Sequence, residues 1–166
     1  MLVCAALTLI VIVYGTVNYS QKQQSQFKDT IASMQMDTLS FDRFGEERRL
    51  VMEELQGDPV VIEFWATWSG KSLAVNRFLD EYQKENPDLV VVAAVVRDGE
   101  KQAAEYITSH EYDFIYVVGT HFFQSINIPG VPSQILIDRE GKLFTSQVGD
   151  DIESLRDKLD RLLQDG

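Results

Sequence analysis

The feature that most constrains this chain is an unbroken apolar run at residues 89–96, with the sequence LVVVAAVV. A short run rich in β-branched residues, with no alternation of polar positions, is typical of a strand that is covered on both faces. A sheet built around such a strand needs a layer of helices on each side. The run therefore predicts an α/β fold.

Strand-like and helix-like segments alternate around this run. A hairpin is predicted at residues 42–47, with a short helical turn after it and a clear break at the Gly-Asp-Pro of residues 57–59. Further strands are predicted at residues 60–65, 114–118, 134–138 and 143–148, and helices at residues 72–83, 100–110, 120–125 and from residue 152 onward, the last one capped by Asp150 or Asp151. The pattern predicts a central sheet with helices on both faces.

The first nineteen residues carry no charged side chain, whereas the rest of the chain carries all of them. As a helix, residues 2–19 would be about 27 Å long at ~1.5 Å per residue, close to the ~30 Å of a bilayer core. The alternative is a cleaved secretory signal, but its basic start and small-residue cleavage site are not visible in the sequence. We therefore predict that residues 1–19 form a single transmembrane anchor and that the protein resides in a cell membrane.

A polar, glutamine-rich segment follows the predicted anchor at residues 20–33. It contains neither glycine nor proline, so it could be a flexible stalk or a helical continuation of the anchor. Residues 34–166 then form the predicted folded domain.

Charge and cysteine content exclude several functions. The sequence has 15 Lys and Arg against 26 Asp and Glu, a formal charge of −11, which argues against nucleic acid as a partner because phosphate binding needs a surplus of basic residues. Its single cysteine, Cys4, excludes an intrachain disulfide, a four-cysteine zinc site and a redox couple of two thiols. No metal and no cofactor are expected.

Two segments carry a resemblance to a known family. Residues 64–72, FWATWSGKS, resemble the FWATWCGPC active-site segment of thioredoxin-fold proteins, and residues 128–142 are similar to their GVPTxFLID stretch, in which the proline is cis. With the hairpin, the helix–strand insert and the anchor, the chain resembles most the TlpA/ResA-type thiol–disulfide oxidoreductases of the bacterial envelope, over about residues 34–163. The resemblance implies a thioredoxin-like fold and a domain on the extracytoplasmic side.

The sequence differs from that family at the two positions that carry the reacting sulfur atoms. The two cysteine positions are Ser69 and Ser72, and the pair between them is Gly70 and Lys71 rather than Gly-Pro. Exchange requires a thiolate near neutral pH, and a serine hydroxyl neither ionises there nor forms a disulfide. The sequence therefore predicts a protein that is not an enzyme of this class.

Other chemistry at these positions is less well supported. Glu63 resembles the buried acid that relays protons to a thiol in thioredoxins, but without a thiol we interpret it as a buried acid satisfied by Lys71 or by backbone. A Ser–Lys nucleophile would need an oxyanion hole and a cleft, of which the sequence gives no sign. A P-loop is excluded because its first glycine would fall at Trp65. His110 and His121 lack metal-ligand spacing.

The remaining prediction concerns binding. We expect an exposed turn from Trp65 to Trp68 and, beside it, a cis proline at Pro132, with Val131 preceding it. In the family this turn and proline form a groove in which an extended peptide pairs with backbone. The leading hypothesis is a redox-inactive, protein-binding or accessory subunit of a membrane complex; the alternative is a thiol–disulfide oxidoreductase whose cysteines at 69 and 72 were substituted by serine.

Overall fold

The central feature of the fold is a five-stranded mixed sheet. In a computed structural model that describes residues 2–164, with side chains described from residue 16 onward, the strand order is β5-β4-β3-β6-β7. Strands β3, β4 and β5 run parallel, and β6 and β7 are antiparallel to their neighbours. The five strands are Val60–Trp65 (β3), Val90–Val95 (β4), Ile115–Val118 (β5), Ser133–Ile137 (β6) and Leu143–Val148 (β7).

A short antiparallel hairpin and five helices complete the structure. Two 3-10 turns, at Met36–Thr38 and Met52–Leu55, flank the hairpin. The hairpin consists of Ser40–Asp42 (β1) and Arg49–Val51 (β2), and the helices are Leu2–Ala32 (α1), Gly70–Glu85 (α2), Glu100–His110 (α3), Thr120–Ser125 (α4) and Ile152–Gln164 (α5). The predicted α/β architecture is confirmed.

The strand predicted to be covered on both faces has two cores around it. Val92 and Ala94 of β4 face one core, together with the hairpin, α4 and the end of α1. Val91 and Ala93 face the other core, with α2 and α5. All four side chains are fully buried, because each pleat of a central strand meets a different helical layer.

The polar segment at residues 20–33 is helical and continuous with α1. Its last turns are not detached from the domain, because Phe27 and Ile31 are each 1% exposed and belong to the core on the hairpin side. Of the two alternatives for this segment, the structure thus has the helical one. Its end packs on the sheet layer rather than standing clear of it.

The predicted anchor falls mainly on residues 1–15, which lie outside the residues whose side chains are described. Within the described part of the chain, no helix combines the length and the apolar character that a membrane crossing needs.

One edge of the sheet collects the segments that the sequence singled out. The carboxyl ends of β3, β4 and β5 lie at the same edge because the three strands are parallel. β6 is antiparallel to β3, with Phe64 opposite Ser133, so the chain enters β6 at this edge. Ligand sites of open α/β sheets form where parallel strands end.

Candidate functional site

The turn between β3 and α2 ends in a serine that caps the helix. The Ser69 side chain accepts a hydrogen bond from the Ser72 amide, with 3.3 Å between Oγ and N, and its carbonyl accepts from the Leu73 amide at 3.1 Å. Serine is a preferred residue for this position because its oxygen satisfies an amide that the first helical turn leaves free. Ser69 is half-buried and Gly70 and Lys71 are exposed.

Ser72 lies one turn deeper and differs in environment. Its side chain is fully buried, and its hydroxyl has no hydrogen-bond partner among the described residues. The two serines thus sit at the start of one helix, one facing solvent and one facing the core. Lys71, the base that a Ser–Lys pair would need, is bound elsewhere, with its Nζ 2.9 Å from Asp150 Oδ1.

The two tryptophans of the motif have opposite environments. Trp65, predicted to be in an exposed turn, is fully buried: it ends β3 and packs against Tyr106 with 4.9 Å between ring centroids. This corrects the prediction of an exposed Trp65: the residue is the last of β3, and its side chain lies in the core on the α2 and α5 side of the sheet. Trp68 is 64% exposed, and its Nε1 donates to the carbonyl of Arg97 at 3.2 Å.

An aspartate from the next strand's loop fixes the start of this turn. The carboxylate of Asp98 accepts hydrogen bonds from both the amide and the hydroxyl of Thr67, the latter at 2.9 Å. It also accepts from the Gly99 amide at 2.9 Å. Two loops that are 31 residues apart in sequence are thereby joined at the sheet edge.

The segment before β6 forms the other side of the site. The Val131–Pro132 peptide bond is cis. Pro132 is buried, and its carbonyl accepts a hydrogen bond from the Gly149 amide at 2.9 Å. Val131 is half-exposed, and no hydrogen bond among the described residues uses its backbone. An extended chain laid beside Val131 would find a free amide and a free carbonyl.

A groove of about 440 Å³ runs between these two sides. Its walls are mostly apolar or amide side chains, which come from the end of β4, from α4, from the segment before Pro132 and from α1. The residues that line it are Gln23, Trp68, Val96, Arg97, Phe123, Gln124, Asn127, Ile128, Pro129, Gly130 and Val131.

Beneath the site lies a buried carboxyl group. Glu63 is fully buried and accepts a hydrogen bond from Gln134 Nε2 at 2.7 Å, since the two residues are opposite each other on β3 and β6. Its other oxygen has no partner among the described residues. Burial raises the pKa of Glu63 well above the ordinary value, and the Gln134 bond lowers it less. The expected partner, Lys71, binds Asp150 instead.

The histidines take no part in the site. His110, at the end of α3, stacks on Tyr106 and lies with its Nδ1 2.9 Å from the carbonyl of that residue. Between residues 16 and 164, no group of three side chains is arranged to hold a metal ion.

Arg97, Asp98 and Phe123 are among the residues of the site that sequence reasoning missed. The signal was present, because residues 97–99 read Arg-Asp-Gly directly after the apolar run and an Asp-Gly pair marks a turn. A turn at the carboxyl end of a parallel strand is a preferred place for functional residues. Phe123 carried no such signal, since an aromatic residue in a short helix reads as core.

The comparisons with known proteins agree with this architecture. The thiol–disulfide oxidoreductase ResA of Bacillus cereus is 21% identical over 125 residues, which cover 72% of this chain and 69% of that protein. The thiol:disulfide interchange protein DsbE of Chlorobium tepidum superimposes with a TM-score of 0.67 at 22% identity, covering 76% of this chain and 95% of that one.

A second similar structure is the exposed lipoprotein thioredoxin of Streptococcus pneumoniae, with a TM-score of 0.58 and 21% identity, covering 75% of this chain and 98% of that one. At these identities the superpositions show a shared thioredoxin-like fold. The profile of the Redoxin family matches residues 34–163. The chain therefore belongs to the Redoxin family.

Proposed function

We propose that this protein is a redox-inactive binding domain on the redoxin scaffold, which holds an extended segment of a partner protein and serves as an accessory subunit of a membrane complex. The observation that carries the proposal is the pairing of a groove beside Val131 with serines at positions 69 and 72. The groove offers apolar walls and free backbone groups, whereas thiol exchange would need a thiolate at the helix start.

Both serines have a structural role in this arrangement. Ser69 caps α2, and Ser72 fills a buried position next to the start of the helix. A serine hydroxyl forms no disulfide and ionises far above physiological pH, so the exchange step has no starting nucleophile. A protein of this kind keeps the family's binding geometry without its covalent chemistry.

Mild-detergent purification of the full chain tests the proposal when it is combined with a change in the groove. We expect a stoichiometric complex with the unmodified protein, and loss of that complex in Val131→Arg, which fills the groove with a charged side chain. Thr108→Arg, at an exposed position of α3, is the matched control and should retain the complex. A complex that survives Val131→Arg, or a monomer under all mild conditions, would refute the groove as the binding site.

A second candidate function is thiol–disulfide exchange in a protein whose cysteines at positions 69 and 72 were substituted by serine. Sequence and structural similarity favour this candidate, since ResA and DsbE are both named for thiol–disulfide chemistry. The chain as it stands lacks the two sulfurs. Reading the genomic codons for positions 69 and 72 separates the candidates: cysteine codons would establish the second one.

We also propose that residues 1–19 anchor the protein in a membrane, with the domain on the extracytoplasmic side. The absence of charge over this segment supports the anchor. Membranes washed with alkaline carbonate should retain the full chain and release a chain that begins at residue 20. Release of both proteins would contradict the anchor, and protection of the domain from protease in intact spheroplasts would contradict the extracytoplasmic side.

A further inference from the structure

Arg97 is the one charged residue among those that line the groove. It lies two residues after the end of β4, and its side chain is exposed. The other polar lining side chains are amides and the indole of Trp68. A single cation in an otherwise neutral groove attracts a negatively charged group of a ligand bound there, because no other charged side chain lines the groove.

The backbone of Arg97 is held in an unfavourable conformation. Its φ angle is +47°, in the left-handed region that residues with a Cβ atom rarely adopt. Hydrogen bonds on both sides maintain it: the Arg97 amide donates to Thr120 Oγ1 at 2.9 Å, and the carbonyl accepts from Trp68 Nε1 at 3.2 Å. Strained residues of this kind concentrate at ligand-binding positions.

The guanidinium group is positioned but not neutralised. Its central carbon lies 5.5 Å from the centroid of the Phe123 ring, which forms part of the groove wall. Within the described part of the chain, Arg97 makes no ion pair. The adjacent carboxylate of Asp98 already accepts from Thr67 and Gly99. The guanidinium donors are therefore available to a ligand.

We propose that Arg97 selects the occupant of the groove: a peptide segment that presents an Asp or Glu side chain, whose carboxylate accepts hydrogen bonds from the guanidinium. Planar guanidinium groups match carboxylates in geometry, and resting on an aromatic face leaves the edge of the group free for them. Domains that recognise phosphorylated peptides use clusters of arginines, and this groove is lined by one, so we choose a carboxylate rather than a phosphate. The inference rests on the proposed function, because it names the chemistry of the partner at the same groove.

The net charge of −11 sets the form of the test. It opposes the approach of any acidic peptide, but this long-range effect is screened beyond about 8 Å at physiological salt. Comparing peptides that differ at one position, on protein variants that differ at one position, separates the contact from the overall repulsion.

Trp68 provides the readout, since it lines the groove and is exposed, whereas Trp65 is buried. The probes are pools of blocked heptapeptides with randomised uncharged flanks and a central Glu, Gln or phosphoserine, titrated into the full chain in mild detergent. We expect the Glu pool to bind about three- to tenfold more tightly than the Gln pool. Arg97→Gln should abolish this preference, whereas Arg161→Gln, which removes an exposed arginine on α5, should preserve it.

Equal binding of the Glu and Gln pools, or a Glu preference that persists in Arg97→Gln, would overturn the role of Arg97 while leaving peptide binding intact. Tighter binding of the phosphoserine pool than of the Glu pool would overturn the choice of a carboxylate. If no pool binds at all, both this inference and the proposed peptide groove fail. A Glu preference that depends on Arg97 alone supports the proposal.

Discussion

At the scale of single residues, the groups beneath the site show how burial sets their behaviour. Glu63 and Gln134 face each other across two central strands, and the carboxyl group keeps one oxygen without a partner. An ionised carboxylate there would lose its hydration for a single hydrogen bond, so the neutral acid is the favoured form and the pKa of Glu63 is raised. The site therefore contains a carboxyl group that stays protonated at pH values at which exposed carboxyl groups ionise.

This raised pKa predicts the effect of Glu63→Gln on stability. Below the ordinary value of 4.5, folded and unfolded chains both carry the proton and the group contributes no pH dependence. Above it the unfolded chain releases the proton while the folded chain retains it, so stability falls as pH rises toward the folded pKa. A glutamine at position 63 does not ionise, so stability no longer falls with rising pH. Its NH₂ group can also donate to the Oε1 of Gln134, which has no partner among the described residues.

We expect Glu63→Gln to raise Tm at pH 7.5, and each kcal/mol gained shifts Tm by about 2–4 °C in a protein of this size. The Tm of the variant should also depend less on pH between 5 and 8. Calorimetric scans across that range measure both effects. Glu81→Gln, at an exposed position of α2, is the control and should leave the profile unchanged; a lower Tm for Glu63→Gln would show that the ionised form is the stabilising one.

The two serines predict opposite results for removal of their hydroxyls. Ser69→Ala deletes the cap of α2 and should lower the free energy of unfolding by about 1 kcal/mol. Ser72→Ala removes a buried hydroxyl that has no partner among the described residues, so it should be neutral or stabilising. Urea unfolding of the two variants measures the difference, and equal losses would contradict these separate roles.

At the scale of secondary-structure elements, α1 is part of the domain at its C-terminal end. Phe27 and Ile31 are four residues apart and therefore lie on one face of the helix, which packs into the core on the hairpin side. Gln23, one further turn toward the N-terminus, lines the groove. The helix thus connects the predicted anchor to the groove without a flexible joint in the described residues.

This packing predicts that Phe27→Ala destabilises the whole domain, by about 3–5 kcal/mol, because it leaves a cavity the size of an aromatic ring in the core. Gln21→Ala, at an exposed position of the same helix, should change stability by less than about 0.5 kcal/mol. Denaturant unfolding monitored by tryptophan fluorescence compares the two variants. If Phe27→Ala left the free energy of unfolding unchanged, α1 would not belong to the core.

The elements themselves could be predicted closely from local patterns. The bounds of α3, α4 and β7 are those predicted, and β3 is as well, because turn residues or apolar runs delimit each of them. The short 3-10 turn at Met36–Thr38 was not predicted, since three residues carry too little pattern to show one. For the same reason the packing of Phe27 was missed: an isolated aromatic in a polar segment gives no periodicity.

At the scale of the whole molecule, the site is made by chain topology. Parallel strands bring the turns after β3 and β4 to one edge, and the antiparallel β6 adds the Val131–Pro132 segment there. The resemblance to a known family was enough to assign the motif residues to one site. The sequence could not, however, predict the hydrogen bonds that Arg97 forms with Thr120 and Trp68. These contacts join residues more than twenty positions apart, which no local pattern records. The burial of Trp65 likewise depends on the sheet that surrounds it.

The central claim is that the chain retains a redoxin site from which the exchange chemistry is missing at two atoms. If the site geometry is retained, two sulfur atoms should restore exchange, because Ser69 and Ser72 already stand at the start of α2 with the cis proline segment at the same edge. Ser69→Cys alone is the matched control, since one thiol lacks the second sulfur needed to resolve a mixed disulfide.

The most direct test is therefore the reduction of insulin by dithiothreitol in the presence of the unmodified full chain, of Ser69→Cys, and of the double variant Ser69→Cys/Ser72→Cys. We predict no acceleration above background for the first two proteins and clear turnover for the third. Turnover by the unmodified chain would contradict the claim that it is redox-inactive, and a folded double variant without turnover would contradict the claim that the site is retained.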